Sequence, residues 1–237
     1  MSVFSRENIS CPSCGVLVRF HIARSVNVGR SAEMRDAILS GSFQAMRCTN
    51  CDTSIRLDPF MNYLDIERGQ WLLVRSHADL MDWVLLERKA SSLFSDSFGE
   101  KSNKIARSIG AGLTPRLVFG WPALQEKILI NEKGLDDVEV ELTKIALMRH
   151  LSYIPLHQDI DLRLQRVEDG EMEFVWINTP AGEVVLETLI LPLAFYDEIA
   201  ADREGWQPLR EQVSASYFVD AKRLMLEETP VSQVEGG

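Results

Sequence analysis

The sequence predicts an α+β fold, in which a small N-terminal β module with a helical insertion precedes a long helix, a helix pair and a C-terminal antiparallel β meander with helices. Three observations lead to this prediction. Two C-x-x-C pairs lie near the N-terminus. Apolar residues then recur at helical spacing through the middle of the chain, and an Asp-Gly dipeptide further on separates two runs of alternating apolar residues.

The N-terminal module is predicted over residues 1–66 and begins with the first cysteine pair. Residues 16–22 alternate between apolar and other side chains, which predicts a strand after that pair. Ser31 can cap a short helix that Gly41 ends, so a helical insertion lies inside the module. Residues 43–46 then return as a strand to the second cysteine pair.

A long helix and a flexible loop are predicted over residues 67–113. Apolar residues between Gln70 and Leu93 follow helical spacing, which is typical of a helix that packs on its apolar face. The segment 94–103 is small and polar, and the glycines at 110 and 112 extend the irregular region. We therefore expect a mobile loop or hinge there.

An α+β domain is predicted over residues 114–229, and it opens with a helix pair. Pro122 suits the first residue of a helix that Gly134 ends. A second helix follows from Asp136, and the acidic residues of its first turn favour the helix dipole.

The same domain continues into a β meander. Asp169-Gly170 lies between alternating apolar runs, which predicts a hairpin. A further strand over residues 184–191 extends it to three strands. Beyond this domain, residues 230–237 have the polar composition of a disordered tail.

Composition and charge limit the classes of function. Hydrophobic residues form 46% and charged residues 25% of the 237-residue chain, as in an ordinary globular protein. No apolar run is long enough for a signal peptide or for a membrane helix of about 20 residues, so we expect a cytoplasmic protein with no membrane partner. The formal net charge of −10 disfavours non-specific binding to nucleic acid.

The two cysteine pairs are Cys11 with Cys14 and Cys48 with Cys51. A structural Zn²⁺ takes four tetrahedral ligands, and each short C-x-x-C turn presents two thiolates to one ion. The 33 residues between the pairs exceed the usual spacing of about 15 to 20, which the helical insertion explains. The sequence therefore predicts a zinc-ribbon-like module that holds one structural Zn²⁺.

Disulfides, a redox pair and an iron site are the other chemistries that two cysteine pairs allow. Two disulfides require an oxidising compartment, and the lack of a signal peptide argues against one. A redox C-x-x-C begins a helix after a strand, which neither pair does. Iron in a rubredoxin-like site uses the same four thiolates, and the sequence does not separate it from zinc.

Gly15 and Asp52 follow the two pairs and tolerate the left-handed backbone that a tight turn around a metal often needs.

The Cys-Pro-x-Cys-Gly run at residues 11–15, paired with a second C-x-x-C after a helical insertion, resembles the bacterial CpXC domain family, which is named for that motif. The second pair has Thr49 and Asn50 between its cysteines and lacks the proline, which removes a preset turn angle but no ligand. Residues 117–130 and 134–137 also resemble segments of family members. The resemblance covers residues 1 to about 150 and implies a metal site without implying a mechanism.

Outside the cysteines, no residue set predicts a catalytic site. Asp136 and Asp137 with Glu139 and Glu141 offer a cation site, but adjacent helical residues point about 100° apart, so helix capping explains the two aspartates better. The histidines are scattered along the chain, with no nucleophile at a recognisable spacing. They are His21, His77, His150 and His157.

Five arginines of the N-terminal module are the candidate residues for a binding surface: Arg19, Arg24, Arg30, Arg35 and Arg47. With phenylalanines between them they suit phosphates and stacked bases, and equally a protein interface. We expect a non-catalytic zinc-binding accessory or adaptor protein that acts through protein–protein interaction. A nucleic-acid-binding protein is the alternative, and an enzyme with an unrecognised active site is the third hypothesis.

Overall fold

The computed structural model describes residues 2–155, 157–180 and 182–227 and confirms an α+β fold. The strands are β1 (Val3–Ser10), β2 (Leu17–Asn27), β3 (Ala45–Arg47), β4 (Ser54–Arg56), β5 (Met61–Asp65), β6 (Gln70–Arg75), β7 (Thr114–Phe119), β8 (Ile160–Glu168), β9 (Glu171–Asn178) and β10 (Val184–Pro192). The α-helices are α1 (Ala32–Leu39), α2 (Trp83–Phe98), α3 (Lys104–Gly110), α4 (Gly120–Glu132), α5 (Asp137–His150), α6 (Leu193–Ala201), α7 (Gln207–Ser214) and α8 (Ala221–Glu227).

The chain forms two compact units, residues 1–128 and residues 129–237. The division predicted from the sequence at residues 66, 113 and 229 stays a prediction. The predicted tail over residues 230–237 lies outside the described residues. None of the helices in the described ranges is long and apolar enough to cross a membrane.

A five-stranded mixed sheet forms the centre of the first unit, with the strand order β1-β2-β5-β6-β7. The β1–β2 and β5–β6 pairs are antiparallel, whereas the β2–β5 and β6–β7 pairs are parallel. β3 and β4 form a separate antiparallel pair. Because α1 lies between β2 and β3 in the sequence, the predicted helical insertion is confirmed.

The core of the first unit joins the inserted helix to the sheet and to α4. Ile38 of α1 and Leu124 of α4 are both fully buried in it. Phe43 contacts Trp121 edge to face, with ring centroids 6.0 Å apart. The segment 117–130, which resembled the CpXC family, therefore contributes to the same core as the insertion between the cysteine pairs.

The long helix begins and ends later than the sequence pattern indicated. Residues 70–75 form β6, and all six are buried. A strand buried on both faces is apolar without alternation, so its residues resembled the start of a helix. α2 begins at Trp83 and continues to Phe98, into the predicted loop. Phe94 extends its apolar stripe and packs on Trp71 with ring centroids 5.3 Å apart. The loop prediction was wrong for residues 94–98.

A three-stranded antiparallel meander with the order β10-β9-β8 forms the sheet of the second unit, as predicted. Asp169 and Gly170 connect β8 to β9 with φ values of 52° and 78°, the left-handed geometry that a two-residue hairpin turn requires. Phe174 and Trp176 of β9 are buried together with Leu147 of α5. One face of the meander therefore packs on this helix.

Candidate metal centre

The four cysteines lie in the turns of two hairpins of the first unit. Cys11 and Cys14 lie in the turn between β1 and β2, and Cys48 and Cys51 lie in the turn between β3 and β4. Each turn follows one strand and precedes its antiparallel partner, so the strand pairing fixes where the two cysteines of that turn lie. One cysteine turn therefore lies at the end of two strands of the five-stranded sheet, and the other joins the separate β3–β4 pair.

The four Sγ atoms all lie within 4.8 Å of one another. Cys11 Sγ is 3.6 Å from Cys51 Sγ, and Cys14 Sγ is 3.6 Å from Cys48 Sγ. Four sulfurs at about 2.3 Å from a central ion form a tetrahedron with edges of about 3.8 Å. The cluster therefore has the size that a single tetrahedral metal ion requires.

The two cysteine turns have the same backbone hydrogen bonds. In the first turn, the N–H of Gly15 donates to Cys11 O at 2.9 Å, and in the second the N–H of Asp52 donates to Cys48 O at 2.9 Å. Gly15 has a φ of 74° and Asp52 has a φ of 58°. The left-handed backbone predicted after each pair is confirmed.

The four cysteine thiols differ in their burial and in their hydrogen bonds. Cys11 and Cys48 are buried, whereas Cys14 and Cys51 are exposed. Thr53, whose Oγ1 lies 3.2 Å from Cys51 Sγ, lowers the pKa of Cys51 to about 6 through its side-chain and backbone hydrogen bonds. Cys51 is therefore poised to ionise near neutral pH, and the thiolate is the form that binds a metal.

The arginines predicted as a binding surface lie on several elements of the first unit, and their joint role stays a prediction. Arg24 pairs with Glu7, and Arg47 Nη1 lies 2.8 Å from Asp52 Oδ2, beside the second cysteine turn. Arg30 is exposed in a short 3-10 turn after β2, and Arg35 is half-buried on α1. Arg19 is exposed on β2.

Arg19 instead shares one face of the β1–β2 hairpin with residues of β1. The strand register places Arg6 opposite His21 and Asn8 opposite Arg19, and residues directly opposite one another project from the same face. The outer hairpin face consists of the exposed side chains of this face, which are Phe4, Arg6, Asn8, Ser10, Leu17, Arg19 and His21. Of these residues the sequence predicted only Arg19 as a binding residue, and Phe4 and Arg6 were missed because β1 was not recognised as a strand.

The acidic residues at the start of α5 do not converge. Asp136 Oδ1 accepts a 3.2 Å hydrogen bond from the N–H of Glu139 and so caps the helix, which confirms capping as the better interpretation. Glu139 Oε1 pairs with Arg210 Nε at 2.9 Å, whereas Glu141 Oε1 pairs with Lys144 Nζ at 2.9 Å. Within the described ranges, the cysteines are the one group of metal-ligating side chains close enough to hold an ion.

Comparison with known proteins gives one match. A family model described as CpXC protein matches residues 9–144, more than half of the chain. No curated protein matches, and no solved structure matches. The matched segment includes both cysteine turns, the helical insertion, α4 and the first half of α5.

Proposed function

Because the chain belongs to the CpXC family, we propose that its cysteine module is a structural zinc ribbon, and that the chain is a non-catalytic accessory protein that binds another protein. One observation carries the proposal: the turns of two hairpins bring four cysteine sulfurs within 4.8 Å of one another. Four protein ligands complete the shell of a structural Zn²⁺ and leave no position for a reacting water. The site therefore favours a structural role over catalysis.

The small size of the module supports a structural role for the ion. β3 and β4 have three residues each, and an isolated two-stranded hairpin is only marginally stable. Two of the ligands belong to the buried cluster at the site, which consists of Cys11, Val18, Phe20, Cys48 and Ile55. An ion bound there contributes its binding free energy to folding.

The outer hairpin face is the surface that we propose for the partner. Leu17, directly after the first cysteine turn, is 66% exposed, and Phe4 is 42% exposed. Arg6 and Arg19 lie beside them on the same face. Arginine and aromatic residues are enriched where proteins bind one another, and an apolar side chain held this far in solvent gains free energy when a partner covers it.

Affinity purification of surface variants tests this proposal. Leu17→Ser combined with Arg19→Ser removes apolar area and one charge from the outer hairpin face. Leu85→Ser combined with Arg88→Ser makes the same chemical change on the exposed side of α2 and serves as the matched control. We expect a stoichiometric partner protein that the control retains and the hairpin variant loses, with the binary complex reconstituted from purified chains. Equal recovery with both variants would contradict the proposed surface.

Nucleic acid is the second candidate ligand of the same face. Arg6, Arg19 and His21 lie close together in the hairpin register, with Phe4 beside them for stacking. The 13 net negative charges of residues 132–237 oppose such binding. A gel shift with single-stranded DNA or RNA at low salt that is lost on Arg6→Ala and Arg19→Ala would support this function, and no shift at low salt would exclude it.

A further inference from the structure

β10 is an edge strand of the three-stranded sheet in the second unit, and we propose that it pairs with β10 of a second copy of the chain in antiparallel order. Among the described residues, the strand order β10-β9-β8 gives β10 a neighbouring strand on one side only. None of its nine residues is buried. An exposed edge offers a row of backbone N–H and C=O groups that another extended strand can bind.

Exposed apolar side chains accompany this row of backbone groups. The register with β9 places Val185 and Ile190 on one face of the sheet, whereas Leu189 packs on the buried cluster of the other face. The large apolar side chains of β10 that are about half exposed are Val184 (49%), Val185 (45%), Leu186 (51%) and Ile190 (56%). A partner strand that covers part of this area gains free energy by removing it from water.

Two other sheet edges carry the charged side chains with which proteins protect exposed strands. At the β8 edge, Lys222 Nζ lies 3.1 Å from the backbone oxygen of Ile160. β1, at an edge of the five-stranded sheet, has Arg6 and Glu7 in its middle. β10 has one charged residue, Glu187, and neither lysine nor arginine. So long and apolar an edge with so little protection indicates an interface between strands.

The position of Glu187 favours antiparallel pairing of two copies. The register of β10 with β9 shifts at Leu186, so residues 187–192 form the regular part of the strand. A two-fold axis at Leu189 would place Glu187 opposite Leu191 of the second copy. A parallel pair in register would instead place the two Glu187 carboxylates side by side, and like charges directly opposite each other are destabilising.

A second copy meets the requirements of this edge. Its own β10 supplies an extended strand with apolar side chains, and pairs of apolar side chains across two strands stabilise a sheet. Because both copies use the same surface, the pair closes at two chains and does not grow into a fibre. The formal charge of −10 on each chain opposes association, so the dimer should become tighter as salt screens this repulsion.

Sedimentation equilibrium of the full chain at several protein and salt concentrations tests the proposal. We expect the mass to rise from the 26.8 kDa of one chain to twice that value as the protein concentration increases. Ile190→Lys should raise the dissociation constant of the dimer about tenfold or more, because a two-fold pair contains the added charge twice. Ile105→Lys, at a 75% exposed position of α3, is the matched control and should leave the dissociation constant unchanged.

Hydrogen exchange locates the interface. Backbone amides of residues 187–191 should gain protection as the unmodified chain dimerises, and Ile190→Lys should lose this gain at the same concentration. Thr188→Lys, at another exposed position of β10, repeats the test if Ile190→Lys does not fold.

Three results would overturn the proposal. The first is a chain that keeps the mass of one copy at high protein and salt concentrations, which would leave the edge to a strand of another protein. The second is a dimer that Ile190→Lys and Ile105→Lys weaken equally. The third is a dimer in which no amide of β10 gains protection.

Discussion

Cys11 Sγ lies 3.6 Å from Cys51 Sγ although the two cysteines belong to different hairpins and are 40 residues apart in the sequence. Cys14 and Cys48 are related in the same way, with 3.6 Å between their sulfurs. An ion bound by all four sulfurs would therefore link the two hairpins to each other as well as bridging the two cysteines of each turn. Its loss should affect both hairpins together.

Removal of the metal should unfold the cysteine module and spare the second unit. β3 and β4 are too short to persist alone, whereas β8 and β9 belong to a core that contains no ligand. Hydrogen exchange before and after treatment with a zinc chelator should show lost protection in β3, in β4 and at the tip of the β1–β2 hairpin. Protection in β8 and β9 should persist.

The matched control for chelation is the combined variant Cys11→Ser with Cys48→Ser. The backbone amides of the cysteine module should already exchange rapidly in this variant, and the chelator should not increase their exchange further. Cooperative loss of protection through both units of the unmodified chain would show that the module is not the separate, metal-dependent element described above.

A close backbone contact makes Gly69 sensitive to substitution. It has a φ of 67°, and a Cβ at this position would lie 2.7 Å from Gly112 O. Gly41, in the same unit with a φ of 74°, has no atom closer than 3.9 Å to such a Cβ. Gly41→Ala should lower the free energy of unfolding by about 1–2 kcal/mol through backbone strain alone. Gly69→Ala should cost about 1–3 kcal/mol more through the clash, as measured by urea denaturation.

Equal losses of unfolding free energy in the two alanine variants would contradict this account of Gly69. The result would mean that the backbone near residue 112 moves aside at little cost, and that the contact between the two glycines does not constrain the first unit.

The buried ion pair of Asp220 and Arg163 should make the second unit sensitive to acid. Burial alone raises the pKa of Asp220, but Arg163 and Lys144 outweigh it and lower that pKa below its ordinary value. A carboxylate with a lowered folded-state pKa stabilises the fold above its unfolded-state pKa of about 3.9, and the contribution disappears as the pH falls through the folded-state value. Asp220→Asn should therefore cost about 1.5–3 kcal/mol at neutral pH, because it removes the closer of two carboxylate partners of a buried arginine, the other being Asp161 at 3.4 Å.

Denaturation at several pH values checks the sign of this effect. The difference in unfolding free energy between the unmodified chain and Asp220→Asn should shrink below about pH 4, where the carboxyl of the unfolded chain takes up a proton, and should vanish once the pH is below the lowered folded-state pKa. Asp197→Asn, at an exposed position of α6, should show little difference at any pH. A difference for Asp220→Asn that stays constant from neutral to acidic pH would contradict the electrostatic explanation.

The cysteine turns were largely predictable because their chemistry is local. The spacing of each pair, together with Gly15 and Asp52, indicates a metal turn without knowledge of the rest of the fold. Asp169-Gly170 is predictable for the same reason, since a two-residue turn depends on its own φ values. Features fixed by two or three adjacent residues could thus be predicted from the sequence.

Features that depend on distant partners could not be predicted. The centre of β6 is continuously apolar because both faces of the strand are buried, and the same letters fit a helix. β1 is held by its register with β2 across the first cysteine turn. In the second unit, Asp161 pairs with Lys222, which is 61 residues away. A linear pattern of charges does not show which of them become buried pairs.

We propose that Cys11, Cys14, Cys48 and Cys51 hold one structural zinc ion. Elemental analysis of the full chain, purified without a metal-binding tag, tests it most directly when Cys11→Ser and Cys48→Ser are measured alongside. The account predicts about one zinc per chain, lost in both variants. Iron in place of zinc would point to electron transfer, and a metal-free chain with oxidised cysteines would contradict the structural zinc site altogether.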